Sequence, residues 1–169
     1  GSGGAAGHGG TVSVTVNGPI TVSGASAHAV FAQSASGTGK DDIAGDVTVT
    51  VNANVTATGE SGRAILAQSE GKAASGNIAI TVAKGVTVST GAGGSETIGL
   101  MNGDANTITN YGTIVSGNAA SYAIRATGAT SGTTLDNHGT ITGSVAGTTP
   151  GSAGEVGSPS RIVLLNRDG

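Results

Sequence analysis

The chain has 169 residues, enough for one domain of ordinary size, yet 32 of them are Gly, 2% are aromatic and 10% are charged, which leaves too little bulk for a broad globular core. A formal charge of −3 with seven scattered Lys and Arg excludes the basic footprint of a nucleic-acid binder. The lack of Cys excludes a disulfide framework or a Cys-ligated metal.

High Gly content often accompanies disorder, but here Val, Ile and Thr alternate strictly between the glycines, a regularity that disordered chains lack. No apolar run reaches the length of a membrane span or a signal-peptide core, so the chain is expected to be soluble as it stands and to be a fragment or a mature piece of a longer protein. Residues 1–10, GSGGAAGHGG, hold nothing that packs and read as a flexible leader in which His8 is inert.

From residue 11 onward one unit recurs about five times, with its clearest copy at 46–69, DVTVTVNANVTATGESGRAILAQS. Val47, Val49 and Val51 alternate with Thr48 and Thr50 as in a strand with one buried face; a turn at 52–54 leads to a second short strand at Val55, and Ala64-Ile65-Leu66-Ala67 makes a third. The first two strands recur as Val14 with Ile20, Val49 with Val55, Ile80 with Val86, Ile108 with Ile114 and Leu135 with Ile141, each pair six apart. The third recurs at Val30, Ile65, Ile98 and Ile124, ten residues after the second strand in three coils and twelve in the remaining one, where Ala92-Gly93-Gly94 supplies the extra length. Fixed spacing within a unit and slack in its loops are the signature of stacked coils, with inward columns of like apolar side chains. At the first turn Val16, Val51 and Val82 give way to Asn110 and Asn137, whose amides are expected to bond along the stack as an Asn ladder.

The loop after the third strand shrinks from coil to coil, from QSASGTGKDDIAGD to QSEGKAASG, NGDA and TGATSG, so one face collects the large variable loops, where function is usually placed. Coil five opens at Leu135, and from residue 144 the pattern degenerates through a Gly/Ser/Pro stretch around Pro150 and Pro159. It resumes at 160–166, which reads as the displaced third strand of coil five or as a cap over the open end.

The Asn-x-Gly-Thr-Ile of Asn110-Tyr111-Gly112-Thr113-Ile114 and Asn137-His138-Gly139-Thr140-Ile141, together with the Ala-Ile-x-Ala strand, resembles the β-helical passenger domains of bacterial autotransporters, the pertactin-like and adhesin classes. The resemblance covers nearly the whole chain on short, degenerate motifs, and it departs from the family in lacking an outer-membrane barrel segment. It implies a right-handed parallel β-helix of about five three-stranded coils, an extracellular location at the bacterial surface, a C-terminal outer-membrane β-barrel in the parent chain, and partners that are host or bacterial cell-surface molecules or the protein itself.

Other chemistries have weaker support. Gly37-Thr38-Gly39-Lys40-Asp41-Asp42-Ile43 resembles one unit of a calcium-binding repeat, but it occurs once, and an acidic surface loop is the simpler reading. Two outward columns, Thr15, Thr50, Thr81, Thr109 and Ser13, Thr48, Ala79, Thr107, Thr134, raise ice binding as an alternative, interrupted by Ala79 and Asp136. A carbohydrate-active β-helix enzyme needs clustered carboxylates, whereas only Arg63 and Glu96 align in adjacent coils, as a weak surface ion pair. His28 and His138 read as solvent-facing turn residues without a catalytic partner. The expectation is therefore a non-catalytic module that needs no cofactor or metal. Its candidate contact surface is Phe31 and Leu66, which alternation turns outward beside the longest loop, with Lys40, Asp41, Asp42 and Ile43 from that loop; Ile43 is expected to fold over the pair, which otherwise forms an exposed apolar patch.

Overall fold

The structure, a computed structural model, describes residues 6–148 and 162–167. Its elements are strands arranged in three parallel sheets. The first sheet stacks β1 (Val12–Val16), β4 (Val47–Val51), β7 (Ile78–Val82), β10 (Ala105–Asn110), β13 (Gly132–Asn137) and β16 (Ile162–Asn166). The second stacks β2 (Ile20–Val22), β5 (Val55–Ala57), β8 (Thr87–Thr90), β11 (Thr113–Val115) and β14 (Thr140–Thr142). The third stacks β3 (His28–Ala35), β6 (Arg63–Glu70), β9 (Ile98–Asn102), β12 (Tyr122–Thr127) and β15 (Ser144–Thr148). Each strand pairs with the equivalent strand one coil away, so the molecule is a parallel β-helix of three-stranded coils.

Period-2 alternation decides which side chains point in. In the first sheet Val14, Val49, Ile80, Ile108, Leu135 and Leu164 form one register column, and Val49, Ile80, Ile108 and Leu135 are buried. The third sheet contributes Val30, Ile65, Ile98, Ile124 and Val145. Burial of each such side chain contributes about 1.5–3 kcal/mol, largely offset by ordering of the chain, so stability accumulates along the stack.

Three expectations are corrected. The second-sheet column runs Ile20, Val55, Val88, Ile114, Ile141, with Val88 in the place expected for Val86. Val86 instead closes a turn by donating its N–H to the Ala83 carbonyl, with Gly85 at φ 79°, a left-handed value that glycine adopts without strain. The two extra residues of coil three therefore lie in its first turn, and the step from second to third strand is ten residues there too. The third strand of coil five is β15, within the stretch read as degenerate, while β16 joins the first sheet beside β13 and begins a sixth coil. The stretch around Pro150 and Pro159 lies outside the described residues.

The leader is also tied down rather than free where it is described. The Gly7 carbonyl accepts from Gly37 N–H, Gly9 N–H donates to the Ile43 carbonyl, and His8 Nδ1 accepts from Ile43 N–H.

Candidate functional site

The loop face is built by the turns that follow β3 and β6. Two buried serines anchor its base: Ser34 Oγ donates to the Gly10 carbonyl and accepts from Gly45 N–H, and Ser69 Oγ repeats this one coil on with the Gly45 carbonyl and Gly76 N–H. Each serine thus stitches the end of the third strand to the start of the next coil. The repeated Ala-Gln-Ser at 32–34 and 67–69 carried the signal for this, and reading those residues only as loop obscured it.

Above that base the loop 37–43 is held by Asp42. Its buried carboxylate accepts from Gly7 N–H and Gly39 N–H, both at 2.8 Å, while Ala73 N–H donates to its carbonyl and Ile43 bridges Ala74 of the next coil. Asp42 therefore fastens leader to loop. Lys40 and Asp41 stand at the tip as an exposed ion pair, their side chains 88% and 81% accessible. Among the described residues no three His, Asp or Glu groups converge as a cation site.

Phe31 and Leu66 are register partners on the outer face of the third sheet, but their environments differ. Phe31 is 53% exposed and the edge of the His28 ring approaches it at 6.1 Å; Leu66 is buried. The loop does not close over Phe31, since Ile43 is engaged with Ala74 and is itself 43% exposed. Leu66 is accommodated on its other side by Gly99, where a Cβ would stand 3.2 Å from Leu66 Cδ1 and 3.1 Å from Glu96 Oε1. The same face continues in Gln33, Gln68 and Met101, with Gln33 Nε2 donating to Gln68 Oε1 and Gln68 Nε2 to Glu70 Oε2.

Arg63 and Glu96 do pair, at 2.7 Å, but not as the surface bridge expected: Glu96 is buried, and Ser95 Oγ donates to its second oxygen. Burial opposes the charge on Glu96, yet the bonds from Arg63 and Ser95 outweigh it and hold the carboxyl below its usual range. Burial, and then the charge of Arg63, push the His28 imidazole down. His28 Nδ1 is buried without a hydrogen-bond partner, so this histidine is not the solvent-facing residue that its turn position suggested.

The remaining acidic groups serve separate coils. Asp46 accepts from Asn77 N–H, Asp104 from Ser131 Oγ, and Asp136 pairs with His138 and Arg167. His138 stacks on Tyr111 with ring centroids 4.8 Å apart. Beside that stack runs the Asn ladder, in which Asn110 Nδ2 donates to Asn137 Oδ1 at 2.7 Å and Asn137 Nδ2 to Asn166 Oδ1 at 3.0 Å; Asn166 extends it beyond the two residues expected. On the outer face of the first sheet the Thr15, Thr50, Thr81 and Thr109 column is in register, ending on Asp136. Comparisons with protein-family models, with curated proteins and with solved structures find no match.

Proposed function

We propose that this chain is a non-catalytic β-helical scaffold that works by surface contact, displayed outside the cell in the manner of the autotransporter passengers its motifs resemble. The observation that supports this most is the division of labour in the coil: apolar columns and Asn or Ser ladders occupy the interior, while carboxylates are spent singly on backbone N–H groups and ion pairs of different coils. General acid–base work requires two such groups converging on one substrate. A stiff stack with a pinned, charged loop tip beside an exposed aromatic requires none. Its contact surface is Phe31 with Lys40 and Asp41, because these are the exposed members of the set and Asp42 fixes the loop that presents two of them.

The test is a triple variant, Phe31→Ser, Lys40→Ser, Asp41→Ser, displayed on cells. Adhesion or cell–cell aggregation should fall severalfold while the β-sheet circular dichroism spectrum and the urea midpoint stay as in the parent. Hydrolysis or elimination of a polysaccharide by the purified chain, abolished by one carboxylate-to-amide substitution, would overturn the non-catalytic reading.

A further inference from the structure

At the N-terminal end all three sheets stop at the same level, with β1, β2 and β3 outermost. The inward columns end there on Val14, Ile20 and Val30. Val14 and Ile20 are only partly buried, whereas their counterparts Val49 and Val55 one coil further in are fully buried. With Ala29 and Phe31 these residues line an open recess of about 390 Å³.

The backbone at this end also has unused capacity. Val12 N–H and the Val16 carbonyl bond toward β4, and because successive residues of a parallel strand face alternate sides, Ser13 and Thr15 aim their N–H and C=O groups at the free edge. Ile20 N–H bonds toward β5, which leaves Thr21 in the same situation. Sheet edges are ordinarily blunted by charge, by proline within the strand or by cover. Residues 9–39 contain no Asp, Glu, Lys or Arg, and Pro19 lies in the turn before β2 rather than in a strand.

We propose that this end is a self-association surface on which two copies of the chain dock head to head about a two-fold axis, β1 running antiparallel to β1 and each recess closing the other. The two ends of the stack decide the geometry. At the far end β16 carries the first sheet one strand beyond β14 and β15, so head-to-tail docking leaves a step of about 4.8 Å in two sheets. Two N-terminal ends meet flush. The patch has no charge to select a charged partner, while a second copy brings matching apolar columns and matching free N–H and C=O groups. An interface of this kind is isologous and closes as a dimer instead of propagating. It does not use Lys40 or Asp41 and stands apart from the loop-face reading.

Sedimentation velocity of the 169-residue chain from micromolar to millimolar concentration tests this, together with a crosslinking arm made clean by the lack of native Cys. A monomer–dimer equilibrium is expected. Thr15→Pro removes a free-edge N–H at a position where an edge strand tolerates proline, and should weaken the dimer about tenfold or more with an unchanged circular dichroism spectrum. Oxidation of Thr15→Cys should give a disulfide-linked dimer, whereas Thr142→Cys at the far end should not. Lys40→Ser with Asp41→Ser should leave the dimer intact. A chain monomeric throughout, growth past the dimer into rods, or a dimer indifferent to Thr15→Pro would each overturn the proposal, the first leaving this end to a different occupant and the second favouring head-to-tail stacking.

Discussion

Among single residues, Glu96 and His28 couple the outer face of the third sheet to pH. Both have folded-state pKa values below their ordinary ones, Glu96 because bonds from Arg63 and Ser95 outweigh its burial, His28 because of burial and the Arg63 charge. For a depressed group the unfolded chain binds the proton first, so stability is lost as pH falls from the unfolded value toward the folded one. The His28 contribution therefore begins to drain as pH drops through about 6.5, and that of Glu96 as it drops through about 4.3. Urea midpoints measured from pH 8 to pH 3 should show both declines. His28→Gln is expected to remove the upper one and Glu96→Gln the lower, leaving the other in place; two variants with the parent's profile would contradict this account of the pair.

Among elements, the register is the quantity on which everything else depends. Ile80 is buried between Val49 and Ile108, while its neighbour Thr81 lies between Thr50 and Thr109 on the outer face. Ile80→Asp places an unpaired carboxylate in an apolar column and should cost several kcal/mol; Thr81→Asp should change stability little. Equal losses in urea unfolding would mean that the coil is threaded differently. The columns were legible in the sequence because alternation assigns a face to every strand residue without knowledge of its neighbours. Val88 was not, since Val86 and Val88 have the same parity and Ile80 and Ile98 are eighteen apart wherever the extra two residues fall. The place of β16 was legible and overlooked: Leu164-Leu165-Asn166-Arg167 repeats the layout of Leu135-Asp136-Asn137-His138, and it is Asn166 that completes the ladder. Phe31 and Leu66 were correctly turned outward, but their unequal exposure depends on Gly99, two coils beyond Phe31, and on the hold that Asp42 and Ala74 keep on the long loop. Alternation carries no information about either contact.

At the scale of the molecule, a stack held by nearest-neighbour contacts is weakest where a coil has one neighbour instead of two. Ile108 is fully buried with Ile80 on one side and Leu135 on the other, whereas Ile20, which pairs with Val55 alone in its sheet, is partly exposed. Truncation at the centre opens a cavity whose walls are gripped by both adjoining coils and cannot collapse, and Ile108→Ala should cost about 2–5 kcal/mol. At the end the lost methyl groups were already partly in water and the rim is free to relax, so Ile20→Ala should cost clearly less. Hydrogen exchange should follow the same gradient, with the slowest amides in β4, β7 and β10 and faster ones in β1 and β2. Association of two N-terminal ends would reverse part of it: β1 and β2 would gain protection as concentration rises, and Ile20→Ala would become costlier under the conditions that favour the dimer. Measuring both truncations in dilute solution and again at high concentration therefore separates the intrinsic fraying of an open end from its protection by a second copy. A central penalty no larger than the terminal one at any concentration would contradict the nearest-neighbour picture of this stack.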